Sequence, residues 1–193
     1  MYKLLNIFPI LIEIEQQVLF VSKIISVYEK QKNLIPSYMQ KAVITLEDKR
    51  FYSHSGYDLI AILRSIVYNL YKEQKSGAST IEQQLIRTLT MKKDRTIRRK
   101  ILEIIVAKKT SKKFSKETIL NCYIDYAYLG TGLTGCNEAS LKIYNKEYHL
   151  LKLEESFFIA SCLKYPIPKH PKKKWKYKIQ VRTNYGIHKL QKS

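Results

Sequence analysis

Apolar positions recur along this chain at helical spacing and alternating strand-like runs are scarce, so the pattern predicts a mainly α protein. Pro36 and Ser37 form a start signal, after which Met39, Ala42, Val43 and Leu46 line one helical face. Leu59, Ile62, Leu63, Ile66, Val67 and Leu70 form a second stripe, headed by Asp58, whose carboxylate suits the first free amides of that helix. A polar break at 72–76 ends it. Ser79 with Glu82 three residues later has the form of a capping box opening the next helix. Asp94 is placed to cap a helix carried by Ile97, Ile101, Ile104 and Ile105, and Ser115 heads another over 116–125. Ahead of all this, the apolar run from Leu4 to Ile12 is interrupted by Pro9 and followed at once by Glu13 and Glu15. Val18 to Tyr28 then reads as a helix of mixed character. The expected organisation is an N-terminal apolar and amphipathic segment, 1–35, followed by one domain, 36–193, with a basic tail from Lys169.

Charge changes the picture. The 193 residues carry 35 Lys and Arg against 16 Asp and Glu, a formal net charge of +19, which calls for an anionic partner. A hydrophobic share of 45% argues against disorder and for a proper core. The first apolar run is shorter than the roughly 20 residues a spanning helix needs, and no small-residue cleavage site follows it. Cys122, Cys136 and Cys162 form no Cys-x-x-Cys pair and read as small buried residues.

Several stretches carry candidate chemistry. The first helix runs into Glu47 and Asp48, followed by Phe51, His54 and Gly56; on its own, a carboxylate pair at a helix end is ordinary solvated surface. Ser79, Thr80, Gln83 and Gln84 open the helix that continues to Arg87. Arg98, Arg99 and Lys100 precede Glu103, and Arg99 shares a helix face with Glu103 four residues on; such a run is usually a solvated charged face. Gly130, Gly132 and Gly135 spell Gly-x-Gly-x-x-Gly, but a dinucleotide turn needs a strand before it, and the pattern ahead of Gly130 is helical.

Taken together and in this order, these stretches resemble the five signature motifs of the peptidoglycan glycosyltransferases of family 51, the transglycosylase modules of penicillin-binding proteins and their monofunctional relatives. The resemblance covers roughly residues 36–166. Glu47-Asp48-x-x-Phe51-x-x-His54-x-Gly56 matches the first motif and Gly77 to Gln84 the second, except for Ala78. Arg99-Lys100-x-x-Glu103 matches the third. Lys116 to Asp125 is similar to the fourth, with Asn121 in place of Glu and Asp125 in place of Asn. Tyr128 to Tyr144 resembles the fifth. Arg87 and Thr88 stand where the family usually has Lys and Asn.

The resemblance implies a two-lobed, lysozyme-like fold with the active site in a cleft between lobes. It implies polymerisation of lipid II into glycan with inversion and release of undecaprenyl pyrophosphate. Glu47 is then the catalytic base and Glu103 a second essential carboxylate, which orients the donor or holds a divalent cation, Mg or Mn. Asp48, Thr80, Gln83, Gln84, Arg87, Arg99 and Lys100 become substrate-binding residues, and Phe51, His54, Gly56 and Ser79 braces of the motifs. Implied partners are lipid II, the growing glycan chain and an anionic membrane surface at the outer face of the cytoplasmic membrane. Two alternatives stand beside this: a catalytically weakened relative that binds lipid II or a cell-wall partner, motivated by Asn121, and a basic nucleic-acid-binding protein, motivated by charge alone. No groove-entering or stacking module supports the second, and no nucleic acid is expected.

Overall fold

Helices carry the chain, as the apolar spacing predicts. The computed structural model describes residues 7–31, 37–71, 77–92, 94 and 96–192. It is 75% helical and holds two short strands among those residues, so the class is mainly α. In order the elements are α1 (Ile7–Gln31), α2 (Ser37–Glu47), a 3-10 turn (Phe51–Ser53), α3 (Leu59–Tyr71), α4 (Ile81–Thr90), α5 (Ile97–Lys113) and α6 (Lys116–Tyr126). Strands β1 (Tyr128–Gly130) and β2 (Leu133–Thr134) follow, then α7 (Gly135–Tyr144), a second 3-10 turn (Tyr148–Leu150), α8 (Leu153–Ser161) and α9 (Lys173–Gln191). Contacts divide the chain into two compact units, with the break in sequence falling after Lys49 and again within α6, after Ile119.

The first unit is built from α1 and residues 50–119. Helix α1 runs through Pro9, where the apolar run is interrupted: Pro9 lies in the first turn, where a missing N–H breaks no helical bond. Ile14, Val21, Ile25 and Tyr28 are its buried face. Glu13 accepts from Lys92 at 2.6 Å and Arg98 at 2.7 Å, tying α1 to the end of α4 and the start of α5. The Lys92 hydrogen bond is the main reason the Glu13 carboxyl is held below its usual range. Asp58 caps α3 as expected, accepting from the Ala61 amide at 3.0 Å. Two other caps differ from expectation. Thr80, not Ser79, accepts from the third amide of α4, and Thr96, not Asp94, caps α5 through the Arg99 amide. In both cases the residue immediately before the first helical position has the extended backbone that an N-cap needs. The polar break expected at 72–76 lies outside the described residues.

The second unit comprises residues 37–49 and 120–192 of the described chain. Met39, Ala42 and Val43 on α2, Phe157, Ile159 and Ala160 on α8, and Ile179 on α9 are fully buried and form its core. Helix α8 packs against α2 and α9, and α9 also packs against α2. The basic tail is therefore a packed element that closes this unit. Its start is pinned by the Trp175 indole, which donates to the Tyr165 carbonyl at 3.0 Å. The glycine-rich stretch differs from expectation in one respect: a strand, not a helix, immediately precedes it. That strand pairs antiparallel with β2 as a hairpin, so no parallel strand-helix-strand unit accompanies it and the nucleotide reading fails on topology. Gly130 is needed because its chain presses on the Ile167 backbone, where a Cβ would come within 2.4 Å of the carbonyl oxygen. Cys122, Cys136 and Cys162 are buried free thiols, and burial raises all three, Cys122 and Cys162 to about 12.

Candidate active site

In the first unit the loop after the 3-10 turn ends at Gly56, whose φ of +86° and lack of Cβ let it lie directly on the α5 backbone. A Cβ there would meet the Ala107 carbonyl carbon at 2.6 Å. The Gly56 carbonyl accepts two side-chain donors from the start of α4: the Thr80 hydroxyl at 3.0 Å and the Gln83 amide at 3.1 Å. Both are buried. Thr80 and Gln83, expected at the substrate, thus hold the loop of the first motif against the second. Gln84 is half-buried and its amide continues α4 from the Thr80 carbonyl.

The same α4 turn meets α5 through charge. Lys100 donates to Ser79 Oγ at 2.7 Å and to Gln83 Oε1 at 2.5 Å. Glu103, with 4% of its side chain exposed, lies among three cations. Arg87 reaches both of its oxygens, at 2.9 and 3.2 Å; Arg99 shares Oε1; and Lys100 stands 3.7 Å from Oε2. Burial pushes the Lys100 ammonium below the ordinary lysine range, and Glu103 opposes that shift. Arg87 and Lys100 keep 38% and 35% of their side chains exposed, so an incoming anion can still reach them. Three cations around one carboxylate form an anion-binding arrangement suited to phosphate oxygens. A divalent cation does not fit at Glu103, because it would have to enter among these three charges and displace arginines already on both oxygens.

Phe51 and His54, which the resemblance makes braces of the motif, lie against each other beside the loop. Phe51 is fully buried, and His54 meets it edge-on with 6.4 Å between ring centres. Lys116 lies over the Phe51 ring at 4.2 Å and bonds Glu82 at 2.5 Å. Glu82 is itself fully buried and 3.8 Å from His54 Nδ1. Sequence reasoning gave Glu82 only a capping role. The available signal was its place one residue after Ile81 and three before Leu85, both on the apolar stripe of the helix. Arg50 bonds Asp58 at 3.0 Å. Burial alone would raise the Asp58 carboxyl, but the Ala61 amide and Arg50 outweigh it and hold it low.

In the second unit Glu47 is the last residue of α2 and Asp48 follows, its amide closing the final turn on the Ile44 carbonyl. Asp48 is buried. Arg182 of α9, which sequence reasoning did not assign to the site, donates through Nη2 to Glu47 Oε1 at 2.6 Å. Asn121 finds a neutral partner: its Oδ1 accepts from Gln40 of α2 at 3.1 Å, so the substituted position of the fourth motif still ties α6 to the helix that ends in Glu47.

The sequence matches the profile of the transglycosylase family over residues 22–191. It is 33% identical to penicillin-binding protein 1A of Rickettsia typhi over 162 residues, 82% of this chain and 20% of that protein. It is 35% identical over 156 residues to penicillin-binding protein 1A of Neisseria lactamica, 77% of this chain and 20% of that one. A Cupriavidus necator protein that carries transglycosylase in its name is 36% identical over 137 residues, 71% of this chain and 59% of the other. The chain therefore spans about a fifth of the length of the penicillin-binding proteins it matches.

The double use of Thr80 is testable. Thr80→Val keeps the shape but removes both the cap of α4 and one donor to Gly56, and should destabilise the fold by about 1–2 kcal/mol. Urea unfolding checks this; an unchanged midpoint would mean that the Thr80 hydroxyl does not hold the loop.

Proposed function

The chain belongs to the transglycosylase family, and we propose that it is a peptidoglycan glycosyltransferase that polymerises lipid II. The observation that carries this reading is the cluster of Arg87, Arg99 and Lys100 around the buried Glu103. Transfer from a lipid-linked pyrophosphate needs no strong acid, because the leaving group is already stable as an anion. It needs preorganised cations where negative charge grows as the glycosidic bond to phosphate breaks. Arg87, Arg99 and Lys100 supply them, with Glu103 fixing their directions; charge neutralisation falls to side chains rather than to a metal.

Glu47 acts as general base. It takes the proton of the acceptor sugar's 4-hydroxyl while that oxygen attacks the donor's anomeric carbon from the face opposite the pyrophosphate, giving inversion and releasing undecaprenyl pyrophosphate. A positioned carboxylate of this kind contributes roughly 10²–10⁴-fold. Asp48 and Gln84 serve the sugar side of the site, and Thr80, Gln83, Ser79, Gly56, Phe51 and His54 keep the motif loops in register.

A membrane-surface location accompanies this activity. Among the described residues no helix is long and apolar enough to cross a membrane. Helix α3 nevertheless exposes Leu59, Ile60, Leu63, Ile66, Val67, Leu70 and Tyr71 and buries little beyond Ser65. An apolar helix this bare suits contact with acyl chains, and the +19 charge adds attraction to anionic headgroups, about 1 kcal/mol per cation near the surface.

Incubating the purified protein with labelled lipid II should yield glycan chains, and Glu47→Gln should abolish them while retaining fold and lipid II binding. Near-normal turnover by Glu47→Gln would remove Glu47 as base. Lipid II bound but never polymerised by the wild type would favour a binding-only relative. Flotation with phosphatidylglycerol vesicles should recover the protein at low salt and much less at high salt; no recovery at low salt would contradict the membrane-surface reading.

A further inference from the structure

Resting on the reading of Glu47 as base, we propose that Arg182 is its positioning residue, so that the C-terminal helix belongs to the catalytic apparatus. One amino group of Arg182, Nη2, donates both to Glu47 Oε1 at 2.6 Å and to the Leu46 carbonyl at 2.8 Å. The Leu46 carbonyl is among the last of α2, which have no partner within the helix, and the negative end of the helix dipole lies there. Arg182 thus grips the end of α2 and its terminal carboxylate with a single rigid group.

The surroundings are built to keep it there. Gly186, one turn further along α9, has no room for a side chain: a Cβ would come within 2.5 Å of the Phe157 ring and 2.8 Å of Leu46 Cδ2. The absence of that atom is what lets α9 lie close enough to α2 for Arg182 to reach. Beside it, Thr183 is buried and pairs with Ser161 of α8 at 3.3 Å. The Arg182 and Glu47 side chains are only 13% and 11% exposed. Arg182 Nε is buried without a hydrogen-bond partner among the described residues.

The use of such a grip follows from the chemistry of a general base. A glutamate has three side-chain torsions, and unless one oxygen is tethered the other has no fixed direction. Holding Oε1 on Arg182 fixes the direction of the Glu47 carboxylate, which a base needs if it is to meet the acceptor hydroxyl. Lysine would keep the charge, but on a flexible stem instead of a rigid planar group.

The test uses the whole chain. Arg182→Gln should lower kcat roughly 100-fold, the lower end of what a positioned base contributes, with KM for lipid II within about 3-fold of the wild type. Arg182→Lys should recover about a tenth of the wild-type rate, and Thr183→Val, which alters packing on the same helix, should leave kcat within about 3-fold. Should Arg182→Gln not fold, Arg182→Lys decides alone through the same split of kcat and KM. A reading independent of turnover comes from nitrogen-15 spectra of the arginine side chains at fixed pH. Slow guanidinium rotation should give Arg182 separate Nη signals in the wild type that merge in Glu47→Gln. Arg182 variants with kcat near wild type overturn the proposal, as does a merged Arg182 signal in the wild type. Separate signals in a wild type that fails to polymerise lipid II would instead count against the glycosyltransferase reading.

Discussion

One buried carboxylate orders the first unit. Glu103 has 4% of its side chain in solvent and keeps Arg87, Arg99 and Lys100 within a few ångströms of one another, an arrangement that like-charge repulsion would disperse without it. The consequences run outward by hydrogen bonds. Lys100, held by Glu103, fixes Ser79 and Gln83; Gln83 and Thr80 fix the Gly56 carbonyl; and Gly56 rests on the backbone of the helix that carries Glu103. Three motifs distant in sequence therefore close into one ring of contacts. Thr80, Gln83 and Lys100, read from sequence as substrate ligands, also hydrogen-bond within this ring.

The balance of this cluster also bears on catalysis. Three cations on one carboxylate leave an excess of positive charge facing partial exposure, which favours a dianionic ligand and disfavours a metal ion at the same place. Arg87, where the family usually has lysine, sharpens this. Its fork covers both Glu103 oxygens, which a point charge on a flexible stem cannot do as well. Asn121 is another departure, and its side chain is partnered by Gln40. An amide oxygen accepts the Gln40 hydrogen bond and preserves the tie to α2 without placing a charge in the second unit.

Much of this was legible from the chain. The apolar stripes of α2 and α3, the Asp58 and Ser115 caps, and the order of the motifs are local signals, read from residues a few positions apart. What escaped is non-local or turns on a single backbone torsion. Arg182 lies 135 residues from Glu47, inside a lysine-rich run where one more cation carries no signal. Glu82 looked like the far half of a capping box because nothing nearby in sequence announces Lys116 as its partner. Thr80 and Thr96 displaced Ser79 and Asp94 as caps because the choice among adjacent cap-forming residues is made by which one is extended, and that is set by packing. Pro9 interrupts the apolar run but not α1, since it lies two residues after Ile7, in the first turn.

The central claim is that the Glu103 cluster is a shaped anion site rather than part of a diffuse basic surface. Calorimetric binding of a short-chain isoprenoid pyrophosphate tests it directly, comparing Arg99→Ala and Lys100→Ala with Lys112→Ala and Lys113→Ala, two exposed lysines in the last turn of α5. The account predicts a loss of about 10-fold or more at Arg99 and Lys100, the size of one charge-assisted hydrogen bond, and little change at Lys112 and Lys113. Equal losses at all four positions would contradict it.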